Sequence, residues 1–495
     1  MSNLEKDEVV AENEVVEQQA AVKESFFERK FQLRKKGSNV KTEVMAGLTT
    51  FMAMVYILMV NAGMFAELGT VSYGAMYIVT ALSAIIGTVL IGLLSGLPLA
   101  QAPGMGLNAF FVYTMCFGFK FTYAQTLVFV LIDGLVFIGL TVTGLRKKIF
   151  EAIPADIKRA IPAGIGLFIA FIGLQNAKLV IPSASTGVTM GSMNLLGDHT
   201  WASLVPLFVV VLGVIAIAAM SKKKVKGAIL WGILGSAVLY YAMLGVGAAF
   251  GSESSIAVFE SISFANPIDA FKDFGTQAVG KVFTEGFKFG AWIEANGVGQ
   301  FILLLITSSL AFCLVDMFDT LGTLYGACKS GNLLDEKGDI PNLNKAMMAD
   351  AVATTAGAIL GTSTVTTFVE SSAGCAAGGK TALTSYVVAA LFAVAMFLSP
   401  IAQLIPSCAT ATALIYVGVL MMNNVRDIEW GDPAIALPAF LTIAMMPFTY
   451  NISFGIGFGL VSHVIIKVCT GKAKEVSVAT YVLTAIFLAM FLFTH

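Results

Sequence analysis

Charged residues are scarce in this sequence of 495 residues. They make up 12% of the chain, whereas soluble globular domains carry about 25%. Hydrophobic residues make up 57%, and runs of about 20 mainly apolar residues, the length of a membrane-spanning helix, recur from Val44 almost to the C-terminus. The composition therefore excludes an ordinary soluble domain and predicts an all-α polytopic membrane protein.

Metal-binding and disulfide patterns are also missing. The six cysteines lie in or beside apolar segments, form no CxxC pair and have no histidine nearby at ligand spacing, which favours buried, inert thiols. The formal net charge of -1 includes no basic excess of the kind that binds nucleic acid. We expect no metal, no cofactor and no nucleic-acid partner.

The N-terminus has no apolar core of the kind that marks a signal peptide. We interpret 1–43 as a cytoplasmic tail, whose first part is too polar to fold. Lys and Arg collect in cytoplasmic loops, and with fourteen alternating segments most of the 30 Lys and Arg residues lie on the side of the N-terminus. This asymmetry supports fourteen segments with a cytoplasmic N-terminus. We expect the protein in the plasma membrane.

Fourteen segments divide into two sevens, which in transporters indicates inverted repeats that meet at the membrane midplane. The third segment of each half does not fit a continuous helix. Pro103, Gly104 and Gly106 interrupt 97–111, and a run of Thr and Val in 361–374 favours extended backbone. Unwound backbone at membrane depth is tolerated only inside protein or around a cavity. The pair predicts a substrate site, the alternative being a tight loop at each membrane surface.

Three carboxylates lie inside apolar segments. Asp316 and Asp319 share one face of the eighth segment, and Glu370 follows the extended run of the tenth. A charged side chain at the bilayer centre costs about 2.5–3.5 kcal/mol on insertion scales, so such residues indicate function by default. The alternative places an aspartate at the cytoplasmic rim, as a helix cap or as a partner of Lys329.

The sign of these charges narrows the substrate. No Lys or Arg lies well inside a segment, so a site for an anion would lack its usual partner. This leaves a neutral solute rich in N–H groups, or a cation. Carboxylates beside free N–H groups at the start of a helix suit a neutral solute with both donors and acceptors, such as a purine base. Phe110, Phe111 and Phe318 are candidates for stacking on its ring.

Four sequence motifs resemble those of one transporter family, the azaguanine-type hypoxanthine/guanine/adenine permeases of the nucleobase-ascorbate transporter superfamily. The motifs are AGLTTFMAMVYILMVN at 46–61, QAPGMGLNAFF at 101–111, VDMFDTLGTLYG at 315–326 and GTSTVTTFVESSAG at 361–374. The resemblance extends from about residue 25 to about residue 475. It implies a transporter rather than an enzyme.

The resemblance also implies an architecture of fourteen segments in a seven-plus-seven inverted repeat. Broken segments 3 and 10 would cross as short antiparallel strands beside the substrate. The implied domains are a core at 44–144 and 299–403 and a gate at 160–249 and 406–470. The sequence itself indicates an extracytoplasmic loop at 251–298 and an extra apolar helix at 478–495, to which we assign no role. Partners would be a purine nucleobase, a coupling proton and the lipid bilayer, with a homodimer left open.

The family's binding carboxylates fall on Asp316, Asp319 and Glu370, its polar third-segment residue falls on Asn108, and Phe110 follows in the same motif. From its position at a helix start, we assign Glu370 to accepting N–H groups of the purine. Because burial disfavours a charged carboxylate, we assign Asp316 and Asp319 to carrying the coupling proton. Asn108 contacts the base, ties the extended backbone to Glu370, or caps a helix.

Rival functions differ in testable ways. An intramembrane aspartyl protease needs acids from two helices and a GxGD pattern, which the sequence lacks. A channel would not show saturable, competed uptake. A xanthine, uracil or anion transporter of the same architecture is the remaining alternative, and competition between these solutes and guanine, hypoxanthine or adenine would separate them.

Overall fold

The computed structural model describes residues 26–144, 153–194, 199–262 and 266–493. The part of the predicted tail at 1–25 lies outside these ranges, as does the start of the basic segment that begins at 145. Helices make up most of the described chain, in keeping with the predicted class.

The first half of the chain alternates long helices with one broken segment. Its elements are α1 (Phe26–Phe31), α2 (Val40–Met54), α3 (Ile57–Ala66), α4 (Tyr73–Ser95), β1 (Gln101–Pro103), α5 (Met105–Ala109), a π-helix (Phe110–Gly118), α6 (Tyr123–Thr143), α7 (Ala155–Asn176), the hairpin strands β2 (Val180–Ser183) and β3 (Gly187–Met190), α8 (Trp201–Lys222) and α9 (Ala228–Ala249).

Short helices fill the predicted extracytoplasmic loop, and the long elements then resume. The remaining elements are α10 (Glu253–Glu260), α11 (Pro267–Asp273), π-turns (Phe274–Ala278 and Val282–Gly286), α12 (Gly290–Asn296), α13 (Val298–Ser330), α14 (Leu343–Leu360), β4 (Val365–Thr367), α15 (Ser371–Ala376), α16 (Ala382–Ala395), α17 (Ser399–Ala402), α18 (Ser407–Met421), α19 (Pro433–Thr449), α20 (Ile452–Cys469), α21 (Val478–Phe493) and 3₁₀ turns (Met396–Leu398, Met422–Asp427 and Ala473–Glu475).

Local sequence signals explain where the long helices begin and end. The Ser72 hydroxyl accepts the N–H of Ala75 at 3.1 Å and caps α4. Thr122 and Gln125 form a reciprocal capping box before α6. Gly144 ends α6 in the left-handed region, with φ of +68°, which glycine adopts without steric cost.

Ten helices in the described ranges are long and apolar enough to cross a membrane. The predicted polytopic helical membrane protein is therefore confirmed, together with short antiparallel strands in the two broken segments. The count of fourteen stays a prediction. Two of the predicted segments, Met105–Gly118 and Pro433–Thr449, are shorter apolar helices, and the tenth consists of β4 and the six-residue α15.

Helix packing surrounds the strand pair with protein. Helix α4 packs against α14 and α16, and β1 lies against α4. A second set is formed by α7 with α18 and α19, and by α8 with α9. Helix α21 packs on α20 and α13. The first set carries both broken segments, and α7 and α18 of the second set face them across a cavity.

Candidate functional site

The two broken segments meet as a buried pair of antiparallel strands. Gln101 is opposite Thr367 and Pro103 is opposite Val365. The pairing continues beyond the strands, because the N–H of Gly104 donates to the carbonyl of Thr364 at 3.0 Å. Each broken segment thus supplies hydrogen-bond partners for the other, which satisfies unwound backbone at membrane depth.

A cavity of about 500 Å³ lies beside this strand pair, within the usual range of about 300–1,000 Å³ for small-molecule sites. Its lining comes from α5, α7, α13, α18 and the chain from β4 to α15. The cavity reaches the surface at Asn423 and Asn424, which are exposed. Within the part of the chain that the structure describes, no Lys or Arg lines it.

Glu370 lines the cavity at the start of α15. The hydroxyl of Tyr56, a buried residue between α2 and α3, donates to Glu370 Oε1 at 2.6 Å. The N–H groups of Ser371 and Ser372 bond the carbonyls of Phe368 and Val369, each at 3.0 Å. The expectation of free N–H groups here is therefore wrong for those two residues, because the preceding tight turn satisfies them.

Asp319 lines the same cavity from α13 and is half-buried. Phe318 is its neighbour in the lining, and the Thr366 hydroxyl lies 3.5 Å from Asp319 Oδ2. Val315, Asp319 and Gly322 follow the spacing of one helix face, so α13 presents a single stripe to the cavity. The cavity thus holds two carboxylates and at least one aromatic ring.

Asp316 is fully buried one turn earlier on α13 and does not line the cavity. The Thr354 hydroxyl donates to Asp316 Oδ2 at 3.3 Å. One turn along the same two helices, the Thr320 hydroxyl donates to Asp350 Oδ2 at 2.8 Å, and Gln101 Nε2 donates to Asp350 Oδ1 at 2.9 Å. A polar network therefore connects α13 and α14 behind the strand pair.

Asn108 and Phe110 also lie outside the cavity lining, and both are fully buried. The Ser363 hydroxyl donates to Asn108 Oδ1, and Asn108 Nδ2 donates to the Pro103 carbonyl at 3.4 Å. Asn108 thus ties one broken segment to the other. Phe110 packs edge-on against Phe312 with ring centroids 4.8 Å apart.

Phe111 packs on Phe65 with ring centroids 4.9 Å apart and is also absent from the lining. Among the three phenylalanines singled out for stacking, Phe318 is the one that lines the cavity. Phe368, at the end of β4, lines it as well.

Sequence reasoning missed Tyr56, Gln101 and Asp350. Tyr56 lies in the first of the four motifs, but nothing in that segment indicates which polar group faces the site. Asp350 had a usable signal, since it is a carboxylate within the apolar ninth segment. In the described ranges, no group of three or more His, Cys, Asp or Glu side chains is arranged to hold a metal ion.

Relatives resemble this chain over almost its whole length. The guanine/hypoxanthine permease PbuG of Bacillus subtilis is 37% identical, covering 94% of this chain and 99% of its own. The adenine permease AdeP of Escherichia coli is 34% identical, covering 95% and 97% respectively. These alignments span both broken segments and all three predicted carboxylates.

A solved structure supports the same fold. The transmembrane domain of the cyanobacterial bicarbonate transporter BicA superposes with a TM-score of 0.54 at 15% identity, covering 86% of this chain and 97% of that one. The profile of the permease family matches residues 41–458. The chain therefore belongs to the permease family, within the nucleobase-ascorbate transporter superfamily that its motifs resemble, and is a transporter rather than an enzyme.

Proposed function

We propose that this chain imports guanine and hypoxanthine, and adenine as well, by proton symport. The observation that carries the proposal is the pairing of Asp319 and Glu370 on one cavity that contains no Lys or Arg among the described residues. The printed names of the relatives, guanine/hypoxanthine and adenine permeases, support the same substrate class.

The cavity chemistry suits a purine. Two carboxylates accept N–H groups from the ring edge, and charge-assisted hydrogen bonds of this kind are roughly twice as strong as neutral ones. Tyr56 supports this role, because its hydroxyl occupies one oxygen of Glu370 and thereby fixes the carboxylate. Phe318 and Phe368 supply aromatic faces for stacking.

The proposed architecture is the seven-plus-seven inverted repeat in the plasma membrane, with a cytoplasmic N-terminus. The core is 44–144 and 299–403, and the gate is 160–249 and 406–470. Residues of both the core and the gate line the cavity. Its opening at Asn423 and Asn424 lies on the cytoplasmic side, as that side is assigned from the distribution of Lys and Arg. Alternating access would move one domain against the other around this site.

The coupling proton is assigned to the acidic side chains of α13. Asp319 meets the cavity, and Asp316 continues inward from it on the same helix face. A carboxylate inside the membrane is expensive when charged, so taking up a proton on one side and releasing it on the other lowers that cost. Glu370 keeps the role of hydrogen-bond acceptor for the purine.

Uptake of radiolabelled guanine in a host that lacks purine transporters tests the function. We expect saturable uptake of guanine. Excess unlabelled hypoxanthine should inhibit it by competition, and an uncoupler should abolish it. Host cells that carry the empty vector and cells that express Glu370→Gln at equal membrane levels serve as controls.

The same assay discriminates the rival substrates. If xanthine, uracil, sulfate or bicarbonate competes better than guanine and hypoxanthine, the substrate assignment is wrong. Full uptake under an uncoupler together with dependence on external sodium would contradict proton symport and leave the substrate assignment standing.

A further inference from the structure

Another carboxylate lies outside the cavity lining, on a helix long and apolar enough to cross a membrane. Asp133 is at the middle of α6 and is fully buried. Leu135 and Val136, which follow after Gly134, are exposed. Both carboxyl oxygens of Asp133 lack a hydrogen-bond partner within the described residues. A charged carboxylate without partners at such a position carries a large desolvation cost, so the site favours a protonated acid.

Asp133 shares its surroundings with a second buried acid. Helix α6 packs closely on α14, where a Cβ atom at Gly134 would collide with the hydroxyl and the backbone of Thr355. Asp350 lies on α14 five residues before Thr355, and its carboxyl group interacts electrostatically with that of Asp133. A negative charge on one of these two buried groups makes a charge on the other more costly.

Each element packed on α6 contributes titratable or charged groups. Helix α14 contributes Asp350, α13 contributes Asp316, and the π-helix contributes Cys116, whose thiol lies 3.3 Å from the Thr126 hydroxyl. The Val282–Gly286 turn contributes Glu285, which pairs with Lys281 at the surface. Among the described residues, no buried Lys or Arg accompanies these acids.

Polar groups connect this acid pair to the cavity. Thr320 on α13 bonds Asp350, and Thr354 on α14 bonds Asp316, so the two helices are linked twice, one turn apart. Asp316 precedes the cavity-lining Asp319 by one turn. These hydroxyls and carboxyls lie on α13, which lines the cavity, and on α14, which packs against the helix of Asp133.

We propose that Asp133 holds the coupling proton in a closed site on α6, and that it exchanges this proton with the cavity through Asp350 and the α13 acids. The proposal rests on the proposed function, since it names where a symported proton resides. In the net transfer an O–H bond on Asp350 is broken, an O–H bond on Asp133 is formed, and the negative charge moves from Asp133 to Asp350. The tight packing at Gly134 suits a proton, which needs no added volume.

The test uses the full chain in proteoliposomes and the variant Asp133→Asn, which imitates the protonated acid. Three quantities are measured: guanine counterflow without a gradient, guanine accumulation driven by a pH gradient, and proton influx that accompanies guanine. We expect Asp133→Asn to keep counterflow while it loses gradient-driven accumulation and guanine-dependent proton influx. Thr126→Val, a change of another buried polar side chain on α6, should behave as the unmodified chain does in all three.

Several outcomes would overturn the proposal. Accumulation of guanine by Asp133→Asn with the unmodified dependence on the gradient would make Asp133 a permanently protonated structural group. A folded variant that binds guanine but loses counterflow as well would place Asp133 in translocation itself. If Asp133→Asn does not fold, Asp133→Ser, which is smaller and neutral, is judged by the same three measurements. A failure of the unmodified chain to transport guanine would instead contradict the proposed function.

Discussion

The hydroxyl of Tyr56 donates to Glu370 Oε1 at 2.6 Å across 314 residues of sequence. Tyr56 is fully buried between α2 and α3, and Glu370 faces the cavity at the start of α15. The bond joins the first and tenth predicted segments at the site where the purine is proposed to bind. It restricts the carboxylate to one orientation before substrate arrives, which lowers the entropy cost of binding.

Replacing Tyr56 with phenylalanine should weaken guanine binding. The change removes one donor from Glu370 and preserves the ring, and a hydrogen bond to a charged group contributes about 1.5–3 kcal/mol. We therefore expect the Kd for guanine to rise about tenfold or more. Equilibrium binding of radiolabelled guanine to the purified variant measures this Kd.

Tyr77→Phe is the matched control. Tyr77 is also buried, and its hydroxyl donates to the Ala395 carbonyl at 3.1 Å, away from the cavity lining. Its Kd for guanine should equal that of the unmodified chain. Equal Kd values for Tyr56→Phe and Tyr77→Phe would show that the Tyr56 hydroxyl does not prepare Glu370 for substrate.

Gly106 should be required for the contact between α5 and α7. A Cβ atom at this position would collide with Ile165 Cγ2. Overpacking typically costs about 1–3 kcal/mol, so Gly106→Ala should lower the guanine uptake rate. The double variant Gly106→Ala, Ile165→Ala removes the colliding methyl group and should recover part of the rate. No recovery, with equal protein in the membrane, would place the defect elsewhere.

Much of this fold follows from local sequence rules. Apolar length and charge asymmetry located the long helices, and proline and glycine around Pro103 and Gly104 located the first broken segment. The Thr and Val run of 361–374 indicated β4 because extended backbone suits β-branched residues. Each of these signals depends only on residues that are close together in the sequence, so it can be read without the structure.

The site was less predictable because its contacts join distant segments. Spacing on one helix brought Asp316 and Asp319 to the same face, yet packing determined that Asp319 meets the cavity and Asp316 does not. The partner of Glu370 could not be found from spacing, since Tyr56 is 314 residues away. Asp133 and Asp350 were missed although carboxylates in apolar segments are themselves a signal.

The cavity opens at Asn423, and a polar cluster on the other side of the protein should help to keep that side closed. Glu67, just after α3, accepts the Tyr113 hydroxyl at 2.9 Å and Asn176 Nδ2 at 3.1 Å, so it links the π-helix to the end of α7. Glu67→Ala removes both bonds. Each contributes about 0.5–1.5 kcal/mol, and amide hydrogen exchange in the π-helix should accelerate accordingly.

Hydrogen exchange with mass spectrometry reports this change in the unliganded protein. Thr143→Val is the control, because its hydroxyl bonds the Gly139 carbonyl within α6 and touches neither linked element. Exchange in the π-helix at the unmodified rate in Glu67→Ala would show that other contacts, such as the 2.6 Å bond from Thr114 Oγ1 to the Tyr450 carbonyl, suffice for closure.

The two aspartates of α13 should separate binding from coupling. Asp319 faces the cavity beside Phe318, so Asp319→Asn removes a charged acceptor from the purine and should raise the Kd for guanine about tenfold or more. Asp316 is buried behind it and bonds Thr354. Asp316→Asn should leave the Kd within about twofold of the unmodified value while abolishing accumulation driven by a pH gradient.

The two variants form a matched pair, because the same atom is exchanged in the same residue type, three positions apart on one helix. Binding to purified protein gives the Kd, and counterflow and gradient-driven uptake in proteoliposomes give exchange and coupling. Asp316→Asn should still catalyse counterflow, since a neutral side chain imitates the protonated acid and exchange needs no net proton movement. Loss of binding in Asp316→Asn together with normal binding in Asp319→Asn would reverse the assignment, because the substrate would then depend on the acid that the cavity does not reach.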